Sequence, residues 1–372
     1  MSQYDVAVLG DGIAALVARL VLVQQCPELD VVTVRPPKPK VAIPKVGEHL
    51  PWAAQSLFEE LGLWPSFTNQ DYVQVNTGFS VWGSGLLQQQ HTIGARRAGG
   101  WGVDRRHFEA WLAAEVDQSA LGAANIQALV RRVDRAGDNT IRLNLDSTAE
   151  LAARFFIDAT GRKAVVARGQ QRRRIDKLIG VCNYFLQVDG AVDPTAGPLI
   201  EARPDGWLYS ALLPARRMIV CWFTDADLMP RHTSPIQRKR YWSDQLESSS
   251  YTLRRLESAG YRQDESEFPN HFYADASSCC SEPIYGKNWV AVGDAAMTFD
   301  PLSSHGMVTA MWSGSAAAKA IVQALQGQSQ SLLYYDQAMA EGYQRYLQER
   351  QSYYAAEQRF AGPFWQRRGG GG

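Results

Sequence analysis

The chain has 372 residues, of which 45% are hydrophobic and 20% are charged, a composition typical of a globular protein with one or two cores. Lys plus Arg and Asp plus Glu number 38 each, so no net charge favours binding to nucleic acid or to an anionic membrane. The five cysteines lack the spacing of a metal site and the N-terminal residues lack an export signal, so we expect a cytoplasmic protein with reduced thiols and no bound metal.

The N-terminal residues predict a βαβ unit with parallel strands. Residues 4–10 and 29–35 are short apolar runs rich in β-branched side chains, and apolar residues recur at helical spacing between them. The apolar part of this helix, 13–23, contains Arg19 and is too short to span a bilayer. After a proline-rich turn, residues 52–62 predict a second helix that ends at a glycine.

The rest of the chain predicts a second sheet inserted between visits to the first layer. A β-ribbon is expected over 72–93, a helix over 103–117 and a buried strand over 153–158. From about residue 179, four longer strands separated by turn residues predict an antiparallel sheet. The remaining expectations are a long polar helix over 235–259, a strand of the first layer near 290, an Ala-rich helix over 306–325 and a helical tail over 331–365.

A glycine-rich turn links the first strand to the first helix and predicts a nucleotide site. It contains Gly10 and Gly12 but has Ala15 in place of the third glycine of the dinucleotide fingerprint. Gly12 lets the backbone approach a pyrophosphate, whose charge would face the N-terminus of the helix. At the end of the second strand, Arg35 replaces an acidic residue that would accept from a ribose hydroxyl, and an arginine only donates. Arg35 is therefore interpreted either as a contact to phosphate or adenine or as a residue that points to solvent.

Two more strand ends carry polar residues. Asp158 and Gly161 follow the strand at 153–158, and Gly293 and Asp294 follow the strand near 290. A carboxylate at such a position accepts hydrogen bonds from a polyol, and the helix that follows offers backbone N–H groups to an oxygen. Because these segments and the glycine-rich turn lie far apart in sequence, a long ligand across the sheet is expected, which favours a flavin dinucleotide over NAD.

Together with "GVDRRHFEAWL" and "GDAAMTFDPLSSHG", these segments resemble the FAD-dependent aromatic hydroxylases and the related flavin-dependent halogenases and geranylgeranyl reductases. The resemblance implies that Gly10 and Gly12 face the pyrophosphate, that Arg105 lies along the cofactor and that Asp294 binds the ribityl chain. The segment 301–307 would border the flavin ring. The full set of expected FAD contacts is Gly10, Gly12, Ile13, Ala14, Ala15, Arg35, Arg105, Val130, Asp158, Gly161, Gly293, Asp294, Pro301, Ser304, Gly306 and Met307.

The implied fold is α/β, with a Rossmann-like FAD-binding domain of the aromatic-hydroxylase type, an inserted antiparallel-sheet substrate domain and a C-terminal helical segment. The FAD-binding domain is predicted to be discontinuous and to comprise residues 1–75, 95–165 and 285–330. The substrate domain would comprise residues 76–94 and 166–284, and the C-terminal helices residues 331–368.

Several segments favour hydroxylation over halogenation. The segment from Lys45 to Trp64 and the tyrosine-rich tail are similar to halogenases and to hydroxylase-like flavoproteins that mature protein-derived tryptophylquinone cofactors. Halogenases need a lysine on a strand after this helix, and the corresponding stretch, "YVQVNTGFSVWGSG", contains none. Lys45, beside Pro44, is interpreted either as a substitute or as a surface residue. Their Trp-x-Trp-x-Ile-Pro signature is matched only in part, at residues 207–214.

The greatest resemblance is to the flavoproteins that mature the cysteine tryptophylquinone of quinone-dependent lysine and glycine oxidases. It implies an FAD-dependent monooxygenase, reduced by NADH or NADPH, that hydroxylates a tryptophan side chain in the precursor of a quinone-cofactor oxidase. The alternatives are a monooxygenase or halogenase acting on a free indole or phenol, and a flavoprotein chaperone without turnover. The basic run 168–177 either docks an acidic partner or is a solvated loop.

The expected chemistry needs a proton acceptor and a dry aromatic-lined cavity. Glu48, His49 and His305 are the titratable residues nearest to the recognised flavin segments, and each is a candidate to accept the proton that the ring loses on rearomatisation. On the inserted sheet, four aromatic residues are interpreted either as cavity lining or as plain core: Phe185, Trp207, Tyr209 and Trp222.

Overall fold

The computed structural model of the chain describes residues 2–369, apart from 42, 92–98, 121–123, 136–140, 147–149, 189, 191, 194, 196, 231–233, 267–269 and 329. The boundary predicted between residues 94 and 95 falls outside these described residues. The other predicted domain boundaries stay predictions.

The helices of the described residues are α1 (Ile13–Gln25), α2 (Ala54–Glu60), α3 (Trp64–Thr68), α4 (Arg105–Ser119), α5 (Pro235–Glu247), α6 (Tyr251–Ser258), α7 (Gly306–Leu325), α8 (Ser331–Ala355) and α9 (Pro363–Gly369). Short 3-10 turns lie at Gly161–Lys163, Ala167–Gly169, Gly293–Ala295 and Pro301–Ser303. The strands are β1 (Ser2–Leu9), β2 (Val31–Arg35), β3 (His49–Pro51), β4 (Val73–Val75), β5 (Thr77–Val81), β6 (Gln88–His91), β7 (Gly100–Gly102), β8 (Ala124–Gln127), β9 (Val130–Arg135), β10 (Ile141–Leu145), β11 (Glu150–Asp158), β12 (Gln171–Arg174), β13 (Leu178–Gln187), β14 (Leu199–Arg203), β15 (Gly206–Leu213), β16 (Arg217–Asp225), β17 (Tyr261–Gln263), β18 (Phe272–Asp275), β19 (Cys279–Glu282), β20 (Tyr285–Gly286), β21 (Trp289–Ala291) and β22 (Met297–Thr298).

The first sheet is mainly parallel and contains the predicted βαβ unit. Its strands lie in the order β20-β21-β11-β1-β2-β8, and the hairpin of β9 and β10 joins the sheet through β11. The pairs β21–β11, β11–β1, β1–β2 and β2–β8 are parallel. Residues Val6 to Leu9 of β1 are fully buried, as expected for a parallel strand that is covered on both faces. Helices α1 and α7 pack against each other beside this sheet, so both of their N-termini lie near the ends of its strands.

The second sheet is mainly antiparallel, and its strands lie in the order β17-β13-β16-β15-β14-β5-β6, with β18 also paired to β13. One face packs against the C-terminal helices through Tyr354, Phe364 and Trp365. The opposite face packs against α5 and α6 through Trp242 and Leu256. Two smaller sheets, β12-β19-β22 and β3-β7-β4, lie beside the large ones. The predicted α/β fold with an inserted antiparallel sheet is thus confirmed.

The single helix predicted over 235–259 is wrong, because the chain forms α5 and α6 with a break between them. The buried carboxylate of Glu201, on β14, accepts from the backbone N–H groups of Ser250 at 2.8 Å and Thr252 at 2.9 Å. These are N–H groups at a helix start, where the helix itself supplies no acceptor. Glu201 therefore stabilises a new helix N-terminus inside the segment for which one long polar helix was predicted.

None of the helices in the described part of the chain combines the length and apolar character needed to cross a membrane.

Candidate active site

A cavity of about 320 Å³ lies between the two sheets. On one side it is bounded by the ends of β11 and β21 and by the first residues of α1 and α7. On the other side it is bounded by β15, β16 and β18 of the second sheet. Ligands of open parallel sheets bind at the carboxyl ends of the strands, which is where this cavity lies.

Two helix N-termini open into the cavity without a side-chain cap. Helix α1 begins after Gly12 and helix α7 begins after His305, and neither flanking residue caps its helix through a side chain. A Cβ atom placed on Gly12 or on Gly306 would meet no other atom within 4 Å. The backbone N–H groups of both first turns therefore have room for an anionic or strongly polar ligand, which the helix dipoles favour.

In the turn before α1, the backbone of Gly10 passes so close to Ala159 that there is no room for a side chain. Gly10 has φ +128°, and a Cβ atom there would lie 2.3 Å from the carbonyl oxygen of Ala159. Any other residue would push the end of β1 away from the chain that follows β11. Ala15, by contrast, is a buried residue of α1 whose methyl group packs in the core, so the missing third glycine leaves the turn intact.

The carboxyl group of Glu48 is buried in the wall of the cavity. Its residue is only 4% exposed, and Oε1 has no hydrogen-bond partner among the described residues. Burial raises the pKa of Glu48 to about 7, although the backbone N–H of Gly47 and the charge of Arg105 act in the opposite direction. Glu48 can therefore bind or release a proton near neutral pH.

His49 follows on β3 and also lines the cavity. Its Nε2 atom is buried without a partner among the described residues. Burial lowers the pKa of His49 to about 4, so the imidazole is neutral at physiological pH. His305, the third predicted proton acceptor, lies at the start of α7 with its ring 6.1 Å from that of Phe299.

Arg105 and Lys45 share one carboxylate, that of Glu109. Arg105 Nε donates to Glu109 Oε1 at 2.6 Å, and Lys45 Nζ donates to Glu109 Oε2. Arg105 also lies against Gly47, where φ is +115° and a Cβ atom would be 2.6 Å from Arg105 Nη1. Arg105 lines the cavity, whereas Lys45 is not among its lining residues.

Asp294 and Arg162 stand at another part of the cavity wall. Asp294 is half-exposed, and its Oδ2 lies 3.8 Å from Arg162 Nε. Arg162 also donates to the carbonyl oxygen of Ser277 at 2.9 Å and lies 3.4 Å from a carboxylate oxygen of Asp275. The Asp294 carboxylate is thus held loosely and keeps acceptor capacity for a ligand hydroxyl.

The second sheet contributes Tyr209, Cys221 and Phe223 to the cavity. Tyr209 and Cys221 are opposite each other on β15 and β16, so both lie on the same face of the sheet. The Tyr209 hydroxyl makes no hydrogen bond to another described residue. This wall combines apolar surface with one hydroxyl and one thiol.

Of the four aromatic residues considered for this wall, only Tyr209 lines the cavity. Trp207 shares its face but is buried and stacks on Phe223, with ring centroids 4.2 Å apart. Trp222 and Phe185 belong to the core on the opposite face, where Trp222 Nε1 donates to the Tyr241 hydroxyl at 3.0 Å. Cys221 and Phe223 were missed: alternation along β16 places both on the face opposite to Trp222, and the pairing of β15 with β16 shows that this is the face of Tyr209.

Most of the predicted site residues come together around the cavity, and five do not. Those that line it are Gly12, Ile13, Ala14, Glu48, His49, Arg105, Gly161, Gly293, Asp294, Pro301, Ser304, His305, Gly306 and Met307. Those outside the lining are Gly10, Ala15, Arg35, Val130 and Asp158. Val130 begins the edge strand β9.

Asp158 is fully buried and binds backbone N–H groups of the chain that follows β11. Its carboxylate accepts from the backbone N–H groups of Thr160 at 3.1 Å, Val166 at 2.6 Å and Ala167 at 2.9 Å. These bonds fix the turn that carries Gly161 and Arg162 into the cavity wall. Asp158 therefore contributes to the site through the backbone it holds.

Arg35 is paired with Asp117 of α4, at 2.8 Å between Nη2 and Oδ1. The same carboxylate accepts from Arg19, which is buried in α1. Hydrogen bonds from Arg35 and Arg19 lower the pKa of Asp117. The positive charge at the end of β2 is thus matched by a carboxylate that comes from a distant part of the chain.

The basic run 168–177 is largely engaged within the protein. Arg172 donates to the carbonyl oxygens of Arg162 and Asp294, both at 3.0 Å. Arg174 and Lys177 form ion pairs with Asp275 and with Asp227, respectively. Three of the five basic residues of the run therefore support the cavity wall and the second sheet, and the other two, Arg168 and Arg173, are exposed.

No protein-family model matches the chain. The proposed FAD-dependent oxidoreductase LodB of Marinomonas mediterranea is 26% identical over 379 residues, covering 99% of this chain and 97% of LodB. The myxobacterial chondrochloren halogenase CndH superposes with a TM-score of 0.86 at 19% identity, covering 99% of this chain and 86% of CndH. The peptidyl tryptophan dihydroxylase QhpG superposes with a TM-score of 0.76 at 22% identity, covering 99% of this chain and 79% of QhpG.

The p-nitrophenol 4-monooxygenase PnpA of Pseudomonas putida has the same fold, with a TM-score of 0.72, 16% identity and coverage of 90% of this chain and 84% of PnpA. The likeness to the three solved structures extends over nearly the whole chain and includes both sheets. By this fold and by its full-length similarity to LodB, the chain resembles the superfamily of FAD-dependent halogenases and hydroxylases.

Proposed function

We propose that the chain is an FAD-dependent monooxygenase that hydroxylates a tryptophan side chain of a partner oxidase precursor during tryptophylquinone biogenesis. The observation that carries the proposal is the cavity in which two uncapped helix N-termini face Tyr209, Cys221 and Phe223, with the buried Glu48 carboxyl, whose Oε1 has no partner among the described residues, in its wall. The similarity to LodB and the fold shared with QhpG, a peptidyl tryptophan dihydroxylase, support the choice of substrate.

The residues around the cavity fit FAD. The open cradle at Gly12 and the first turn of α1 suits a pyrophosphate, and Asp294 suits the hydroxyls of the ribityl chain. The turn 301–306 and the N-terminus of α7 would hold the polar edge of the flavin ring. When bound and reduced by NADH or NADPH, the flavin supplies the activation of O2.

The protein's own part in the reaction is to hold an arene, exclude water and accept a proton. Phe223 and Val46 give the cavity apolar surface, and the Tyr209 hydroxyl would accept from the N–H group of an indole. Once oxygen has been added, the ring must lose a proton from carbon to regain aromaticity. Glu48, with a pKa of about 7, accepts that proton, while neutral His49 beside it adds no competing charge.

Halogenation is the second candidate, because the fold is shared with the halogenase CndH. That reaction needs a lysine to relay hypohalous acid to the substrate. No lysine is among the described residues that line the cavity, and Lys45 is bound to Glu109. The cavity therefore favours transfer of oxygen to the ring over transfer of halogen.

The decisive experiment is to co-express the chain with a precursor oxidase and to weigh the tryptophan-containing peptide of the precursor. Added oxygen that depends on this chain supports the proposal, and added bromine or chlorine supports the halogenase. An unchanged peptide in a stable complex supports a chaperone without turnover. Oxygen added to free indole or phenol with NADH or NADPH, and none added to the precursor, would support a small-molecule monooxygenase.

The Glu48→Gln variant sharpens this experiment. It keeps the size of the side chain but removes the proton acceptor, so we expect it to bind FAD and the precursor and to yield about a hundredfold less hydroxylated peptide. Glu257→Gln, on an exposed position of α6, is the matched control. Equal yields from both variants would remove Glu48 from the proposed mechanism.

The proposed setting is the cytoplasm, where the chain would modify the precursor. The five cysteines of the chain are all free thiols, which suits a reducing compartment.

A further inference from the structure

The turn that borders the cavity from Asp300 to Gly306 is built around a buried carboxylate. Asp300 is 1% exposed and lines the cavity, and its Oδ1 accepts from the backbone N–H of Leu302 at 3.0 Å. Four residues along, Ser304 has φ +53°, a left-handed conformation that costs a residue with a side chain about 1 kcal/mol or more. Such a conformation persists only where the surrounding structure holds it.

Residues in the last turns of α8 hold this turn in place through hydrogen bonds to Asp300. The Tyr354 hydroxyl donates to Asp300 Oδ2 at 2.8 Å, and Arg350 Nε donates to the same oxygen at 3.2 Å. One turn earlier than Arg350, the Tyr346 hydroxyl accepts from the backbone N–H of Asp300 at 2.8 Å. Both the side chain and the main chain of Asp300 are thus fixed by a single helix that does not itself line the cavity.

Tyr354 is also hydrogen-bonded to the second sheet. Trp207 Nε1 donates to the Tyr354 hydroxyl at 3.0 Å, and Trp207 is two residues from Tyr209 on the same face of β15. A continuous chain of hydrogen bonds therefore runs from the wall opposite the flavin segments, through Tyr354, to the carboxylate at the base of the cavity turn. All three groups are buried, so water does not compete for these bonds.

We propose that Tyr354 and Arg350 are positioning residues, which hold the turn 300–306 through Asp300 and so set how tightly and in what environment the cavity binds its flavin. The part that concerns flavin rests on the proposed function. The part that concerns the turn does not, since it follows from hydrogen bonds within this chain.

The test compares Tyr354→Phe with Tyr343→Phe. Tyr343 lies on the same helix and is equally buried, but its hydroxyl has no hydrogen-bond partner among the described residues. Both variants lose one hydroxyl and keep an aromatic ring in the core, so an effect specific to Tyr354→Phe reports the bonds to Asp300 and Trp207. Arg350→Lys keeps the positive charge but lacks the planar set of N–H donors of a guanidinium group, so it tests the hydrogen bond from Arg350 to Asp300.

The first measurement is hydrogen exchange of the backbone amides of residues 302–306, which follow Pro301, in the full chain without added flavin. We expect these amides to exchange about tenfold faster in Tyr354→Phe than in Tyr343→Phe, because a hydrogen bond to a charged group is lost. Equal exchange in the two variants would overturn the proposal whether or not the protein binds flavin.

The second measurement is titration of the flavin-free chain with FAD, followed by the visible spectrum of the bound flavin. In Tyr354→Phe we expect about tenfold weaker binding and a shifted spectrum, because a smaller fraction of the molecules has the turn in its binding conformation. Lower thermal stability with unchanged exchange, FAD affinity and spectrum would show that Tyr354 serves only the core. If the unaltered chain failed to bind FAD while exchange responded as expected, the proposed function would fall and the positioning role would stand.

Discussion

Replacing Glu48 by Gln should change how the stability of the folded chain depends on pH. The unfolded chain ionises this residue at its ordinary pKa of 4.5, whereas the buried carboxyl holds its proton until about pH 7. Between these values the folded state binds one proton more than the unfolded state, so rising pH destabilises the fold. Above about pH 7 the full penalty remains, and a pKa raised from 4.5 to about 7 corresponds to about 3 kcal/mol.

The glutamine variant has no carboxyl to ionise and escapes this penalty. Its own cost, that of a buried amide, does not change with pH, so the difference between the two proteins isolates the ionisation of Glu48. Relative to the unaltered chain, Glu48→Gln should gain nothing below about pH 4.5 and up to about 3 kcal/mol above about pH 7. For a chain of 372 residues this corresponds to about 4 °C in the thermal midpoint.

The assay is thermal or urea unfolding of both proteins at matched ionic strength from about pH 4.5 to about pH 8.5, with Glu257→Gln as control. Parallel stability curves for Glu48→Gln and the unaltered chain would refute the reasoning. They would mean that water or a counter-charge reaches Glu48 and that the residue is an ordinary ionised carboxylate at neutral pH.

Three further predictions concern the same region. His49→Gln should flatten the loss of stability as pH falls from 6.5 to about 4, the range in which the unfolded chain protonates this histidine and the folded chain does not; unchanged acid sensitivity on unfolding would contradict the burial of its ring. Asp294→Ala should weaken FAD binding by about 1.5 to 3 kcal/mol, the worth of a hydrogen bond to a charged group, and full retention of flavin after gel filtration would rule out its role at the ribityl chain. Arg35→Gln should cost less than about 1 kcal/mol in unfolding and change FAD affinity by less than about threefold, since Asp117 keeps its bond to Arg19; a large loss of affinity would instead show that Arg35 binds the adenosine half.

The sequence predicts the parts of this fold that depend on local patterns. Apolar periodicity over short segments predicts the parallel strands, α1 and α7. The predicted bounds of α7, 306–325, are those of the structure. The break between α5 and α6 could not be predicted in this way, because its cause is Glu201, about fifty residues earlier in the chain. A run of serines at 248–250 was the only local sign.

The same limit applies to the candidate site. Residues that belong to glycine-rich turns and helix starts were found, because such turns are local and their chemistry is specific. The pairing of Arg35 with Asp117 joins residues 82 positions apart, and no property of Arg35 alone identifies its partner. Alternation places Cys221 and Phe223 on the face opposite to Trp222, but only the pairing of β15 with β16 shows that this face carries Tyr209.

The fold itself does not choose between adding oxygen and adding halogen, since CndH and QhpG both superpose on nearly the whole chain. The proposed hydroxylation therefore rests on which ionisable groups line the cavity. Here Glu109 binds both Lys45 and Arg105, whereas the carboxyl of Glu48 lines the cavity and its Oε1 has no partner among the described residues. An acid with a pKa near 7 accepts a proton but cannot carry hypohalous acid as an amine does. The Glu109→Gln variant would release Lys45 from its ion pair. Of Glu48 and Lys45, only Glu48 lines the cavity, so we expect no halogenation by this variant.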